Sequence, residues 1–335
     1  LIEWLDRQWK RHGRALWIIH SVWSLAAGVA VIVLARERYG FIPWVIGFLA
    51  LTWLTTLLFS RSADTARPTG RKERFRIELT SYVTRVLYQE TLFFLIPFYA
   101  YSTVVPSWNM LFVGLLGLMA VLSCLDLVFD RWIRKSPVLG LVFFASVAFA
   151  TLNLLLPMLL RMTSATAASL AGIVAVASGV PLALRSRPSG LAGGLRLAAA
   201  GAVLLAVAVW LQPLVPAVPL RLTMAHFGAD FDSREIEVID PLGDVGNLGR
   251  MSGKVVVLAR IFAPSSLPSR VVIEWTLDDE PIRTSREVEI TAHEDGFRIW
   301  DAYSPDGEPL QPGLYRVVLS TVEGMLFGAA SVRLQ

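Results

Sequence analysis

Long apolar runs fill roughly the first two-thirds of the chain, and short two-residue alternation replaces them in the last third. The change falls at Leu197–Trp210, which continues to Leu220 with Gln212 as its only polar residue. Apolar runs of about 18 residues or more are long enough to cross a hydrocarbon core. On that basis the pattern predicts about seven spans: Ala15–Ala35, Phe41–Ser60, one within Ile77–Val105, Met110–Phe129, Val138–Leu160, Ala167–Leu184 and Leu197–Val218. Ahead of them, Leu1–Arg14 sets Leu1, Trp4, Leu5 and Trp9 against Arg7, Lys10, Arg11 and Arg14, the pattern of a helix lying in a membrane interface.

Beyond Pro213, Pro216 and Pro219 the period becomes two, the signature of strands. Strands are predicted at Lys254–Phe262, Arg270–Leu277, Ile282–Ile290, Phe297–Tyr303, Leu314–Val322 and Met325–Leu334, with weaker ones at Arg221–Met224 and Glu235–Ile239. Asp278-Asp-Glu-Pro281 and Glu323-Gly324 have turn chemistry, the latter as a hairpin joining the last two strands. Trp275 is the expected buried aromatic. The expected fold class is an α-helical transmembrane bundle of about seven spans followed by an all-β, immunoglobulin-like sandwich. The corresponding domains are an interfacial helix at 1–14, a bundle at 15–218 and an extracytoplasmic β-sandwich at 219–335.

Composition agrees with a membrane reading: 54% of the 335 residues are hydrophobic and 17% charged. Charge is unevenly spread. From Ala217 onward there are 11 Lys+Arg against 18 Asp+Glu, and before it 20 against 9. The acidic end argues against nucleic-acid binding there. The basic segment Arg61–Arg76, with the other Lys and Arg clusters on the N-terminal side of the spans, predicts a cytoplasmic N-terminus by the positive-inside rule. The β domain is then expected outside, in a bacterium in the periplasm. The chain opens on Leu1, so the start of translation is expected upstream.

Four features bear on chemistry. Arg85, Glu90 and Asp126 fall inside predicted spans, where a charge costs on the order of 3 kcal/mol and usually faces protein or water. They read as a helix-packing ion pair or, alternatively, as an ion or proton path. Arg298 and Trp300 share one strand face and form a candidate partner-binding pair, although burial of Trp300 in the sandwich core is the slightly favoured reading. The single cysteine, Cys124, allows neither an intrachain disulfide nor a cysteine metal site. His20, the only histidine in a span, is too few for a bis-histidine haem. No zinc-protease, nucleophile-elbow or P-loop motif occurs, so neither a catalytic residue nor a cofactor is expected.

Ile273-Glu-Trp275, Arg298-Ile-Trp300 and Gly313-Leu-Tyr315-Arg-Val317 with the closing hairpin resemble a proteobacterial domain of unknown function that often follows a multi-span membrane region. The resemblance covers Val255–Leu334 and implies an envelope location, with no activity to carry over. The expected function is that of a non-enzymatic inner-membrane protein. Its outer domain would bind another membrane or periplasmic protein or an envelope component, as an accessory or scaffold subunit. The alternative is an ion- or proton-coupled transporter or channel using Glu90, Arg85 and Asp126.

Overall fold

The computed structural model describes residues 71–125, 129, 137–185, 212–251, 253–263, 269–290, 296–305 and 308–335, with single positions at 22, 23, 26, 195, 199, 202 and 206. The expected interfacial helix and the spans at Ala15–Ala35, Phe41–Ser60 and Leu197–Val218 lie wholly or mostly outside these residues. The described chain holds four α-helices: α1 Arg71–Tyr101, α2 Met110–Cys124, α3 Pro137–Leu160 and α4 Ser164–Arg185.

These helices correct the expected fold class. Among the described residues one helical stretch, Val142–Leu160 of α3, is long and apolar enough to cross a membrane. There is no seven-span bundle among them. A count of apolar runs fails here for two physical reasons. The α1 helix carries Arg71, Lys72, Glu73, Arg74, Arg76, Glu78, Arg85, Gln89 and Glu90, so it is a long polar helix rather than an apolar one. The apolar helices Met110–Cys124 and Ser164–Ser178 are shorter than a span. An apolar run of that size marks burial without saying whether protein or lipid does the burying.

The chain forms two compact units. The first comprises Leu1–Pro97, Gly114–Thr151 and Val174–Val203. Its described core is aromatic and small: Phe144 and Ala148 of α3 pack with Ala175 of α4, against Tyr88 of α1 and Phe149. Edge-on ring contacts reinforce it, Tyr88 to Phe143 at 5.2 Å and Phe129 to Phe143 at 5.3 Å. Ala148 and Ala175 present so little side chain that the two helix backbones can approach closely.

The second unit comprises Phe98–Val113, Leu152–Ile173 and Leu204–Gln335, so the β-rich C-terminal region is compact with several helix ends. Ten strands follow in order: β1 Arg221–Asp232, β2 Glu237–Leu242, β3 Val245–Gly246, β4 Val255–Phe262, β5 Ser269–Leu277, β6 Glu280–Thr284, β7 Val288–Ile290, β8 Phe297–Tyr303, β9 Gly313–Thr321 and β10 Leu326–Leu334. One sheet has the order β2-β1-β4-β8, the other β3-β10-β9-β5-β6, with β7 also on β5. All pairs are antiparallel except β3 with β10.

Val255, Val257, Ala259 and Ile261 of β4 face Val271, Ile273 and Trp275 of β5 and Val317 and Leu319 of β9, all buried in the core between the sheets. Trp275 lies at its centre, 0% exposed, with Phe227 edge-on at 6.2 Å. Its indole N–H donates to Asp301 Oδ2 at 2.9 Å, and Arg283 Nη2 donates to Asp301 Oδ1 at 3.2 Å. This carboxylate therefore ties β8 of one sheet to β5 and β6 of the other. Gly328 lets β10 approach β1, since a Cβ there would collide with Leu222. The β5–β6 turn places Asp278 and Asp279 at φ 48° and 71°, the left-handed pair that a two-residue hairpin needs and that Asp tolerates.

Polar contacts join the helix ends of this unit to its sheets. Arg316 of β9 donates to the carbonyls of Val105 and Pro106 at 3.2 and 3.4 Å. Asn109 donates to Leu326 O at 3.4 Å, and Ser164 to Val218 O at 3.2 Å. Gln212 donates to Ala165 O at 2.8 Å. Thr163 caps α4, its hydroxyl accepting from Thr166 N at 3.2 Å.

Candidate functional site

The outer face of the β2-β1-β4-β8 sheet carries the exposed side chains with the most recognition chemistry. Antiparallel register fixes which residues share it. Leu258 of β4 lies between His226 of β1 and Trp300 of β8, and Arg260 lies between Met224 and Arg298. Residues paired in this way project to the same side. The inner residues Ala259 and Ile299 are buried, whereas His226, Arg298 and Trp300 are exposed.

Trp300 is 51% exposed, yet it is not loose. Its ring stacks on Phe231 with centroids 4.5 Å apart and planes 21° from parallel. Phe231 is held in turn, because its backbone N–H donates to Asp230 Oδ1 at 2.7 Å. Lys254 Nζ lies 2.6 Å from the same oxygen. That hydrogen bond, followed by the one from Phe231 N–H, holds the Asp230 carboxyl below its ordinary range. A Cβ at Gly228 would overlap the Val238 side chain, so glycine is what lets β2 close over β1 next to this corner.

Arg260 and Arg298 stand directly opposite each other across β4 and β8. Like charges in that position repel. Among the described residues neither guanidinium is given a carboxylate, and Arg260 Nε is buried without a hydrogen-bond partner. Two cations with no carboxylate partner among the described residues, beside a fixed aromatic plate, form a surface suited to an anion with an apolar face.

The second predicted group is only partly brought together. Arg85 is 7% exposed on α1, and Gln89, one turn further, is also buried. Glu90 is half-buried, and Asp126 lies outside the described residues. Glu90 stands five positions after Arg85, which sets them about 140° apart around the helix. The side chain that shares the face of Arg85 is Gln89, whose Nε2 is buried without a partner. Sequence reasoning passed over Arg260 and Phe231. The alternation of β4 could have pointed to Arg260, the one charged residue in that strand. Nothing local points to Phe231, because its contact with Trp300 spans non-adjacent strands.

Among the described residues no three His, Cys, Asp or Glu side chains converge as a metal site. No curated protein and no solved structure matches the chain. A family model does match, from residue 1 to Val245 in β3, so the Ile273-Glu-Trp275 and Arg298-Ile-Trp300 motifs lie beyond it. By that match the chain belongs to DUF5924, a family of unknown function.

Proposed function

We propose that this chain is a membrane-held recognition protein of the bacterial envelope. The helical part sits in the inner membrane. The β-rich region stands in the periplasm and binds a partner protein or envelope component through the face around Trp300, without catalysis. The observation that carries recognition is the Trp300–Phe231 stack, a large aromatic held rigid yet half exposed. Aromatic residues and arginine in such positions dominate binding energy at interfaces.

Support for the membrane comes from α2. Leu111, Leu115, Leu118 and Val121 follow helical spacing on its exposed side, while Leu116, Met119, Ala120, Ser123 and Cys124 are buried on the other. A helix apolar on both sides has a second apolar surrounding to satisfy. Trp108 and Val105, exposed just before α2, suit the interfacial zone. The acid excess after Ala217 and the basic excess before it fit a β region placed away from the cytoplasm.

The test is affinity purification of the full chain from native membranes under gentle extraction, with wild type beside Trp300→Ala. A companion that co-purifies with wild type and is lost from the variant is the expected result. The bare chain from both, or an identical companion set, counts against the proposal. A second reading, ion transfer along α1, is favoured by the buried, unpartnered Gln89 amide on the face of Arg85. It requires a flux in liposomes that Glu90→Gln abolishes.

A further inference from the structure

We infer that the outer face of the β2-β1-β4-β8 sheet binds an anionic glycan, with sugar rings lying on Trp300 and their carboxylate or phosphate groups held by Arg298 and Arg260. This rests on the recognition reading above and names the chemistry of the ligand. Three observations select it. The aromatic plate is flat, half exposed and immobilised by Phe231 at 4.5 Å. The C–H face of a pyranose ring is apolar and carries the partial positive charge that an aromatic face attracts.

On this face the charges paired across β4 and β8 are both positive. Arg260 and Arg298 face each other across two strands, and His226 shares the face next to Leu258. Two acidic residues that adjoin Phe231 and Trp300 in the chain are already engaged. Asp230 is paired with Lys254 at 2.6 Å, and Asp301 is bonded by Trp275 and Arg283 on the inner side. A bound anion would relieve the repulsion between the two guanidinium groups, giving them the counter-charge that the described fold withholds.

An acidic peptide suits this face less well. Peptides that bind to sheets usually add as a strand along a free edge. This sheet ends in β2 and β8, and at the β8 edge, beside Trp300, Arg283 from β6 bonds both the Ala302 carbonyl and the Asp301 carboxylate. A strand arriving at that edge would meet this tie. A sugar polymer needs only the face.

The experiment is a titration of the full chain in detergent micelles with oligogalacturonate, phosphorylated mannan, neutral dextran and poly-glutamate. It is repeated on Trp300→Ala and Arg298→Gln, whose thermal midpoints are checked first. Wild type is expected to bind at least one anionic glycan about tenfold more tightly than dextran or poly-glutamate, and each variant is expected to weaken that binding about tenfold. The two glycans distinguish a carboxylate from a phosphate ligand. Binding of neither overturns the inference, as does poly-glutamate bound equally well and unaffected by Trp300→Ala. If the glycans fail while a co-purifying protein is still lost from Trp300→Ala, the recognition role stands and the glycan falls.

Discussion

The α2 helix and the β4 strand both carry apolar side chains on two faces, and they differ in how many of those faces the protein covers. In β4 the inner residues face a second sheet, while Val256 and Leu258 lie on the outer side between β1 and β8 and are also buried. In α2 one side is buried by protein, and the leucines on the other side are left exposed. The same apolar composition therefore ends in a finished core in one region and an unfinished surface in the other. Hydropathy registers the total burial a segment requires and is silent on which neighbour supplies it.

The sharpest way to break the comparison is to remove the centre of the finished core. Trp275→Ala deletes a fully buried ring and leaves Asp301 short of a donor. A loss of about 3–5 kcal/mol is expected, read as a large fall in the thermal unfolding midpoint of the β signal. Next comes the unfinished surface. Leu118 is 57% exposed. On the surface of a water-soluble protein Leu118→Lys would change stability by no more than about 0.5 kcal/mol. Facing lipid, the same change costs about 2.5–3.5 kcal/mol and is expected to cut recovery in the membrane fraction several-fold.

Asp301→Ala is expected to cost about 1–3 kcal/mol, because the Trp275 indole N–H and the Arg283 guanidinium both lose their acceptor. Its effect on the melting midpoint should be smaller than that of Trp275→Ala. The smallest effect concerns pH. The Asp230 carboxyl is held low in the fold, first by the hydrogen bond from Lys254 and then by the one from Phe231 N–H. A depressed carboxyl stabilises the fold above its ordinary value of about 3.9 and loses that contribution as pH falls through the lower folded value. Asp230→Asn should therefore flatten the acid side of a midpoint-against-pH curve and leave the curve near neutrality almost unchanged.

Strands were legible because a period of two allows few other readings. The expected Phe297–Tyr303 is β8 without change, and Arg270–Leu277 differs from β5 by one residue. The expected Arg221–Met224 falls short of β1, which runs to Asp232, because Ala225, Gly228 and Ala229 are poor strand formers whose pairing is set by neighbours. The alternation over Ile282–Ile290 predicts one strand. It is split into β6 and β7 where Ser285 turns its hydroxyl to accept from Ile273 N at 2.9 Å.

For the site, the shared face of Arg298 and Trp300 followed from parity alone. Phe231 did not, since β4 lies between its strand and β8. The helical count failed where length was asked to do the work of environment. Polar α1 and the short apolar α2 both entered the tally of spans, and in neither does an apolar run reach across a bilayer among the described residues.

The most direct measurement compares the two surfaces in one preparation. Cys124 is the only cysteine, so Cys124→Ser gives a clean background for single spin labels at Leu118→Cys and Arg298→Cys in reconstituted liposomes. The label at 118 is expected to collide with oxygen, which concentrates in lipid, and the label at 298 with a water-soluble nickel chelate. A label at 118 open to the nickel chelate, like the one at 298, would contradict a helix finished by lipid and a sheet finished by its ligand.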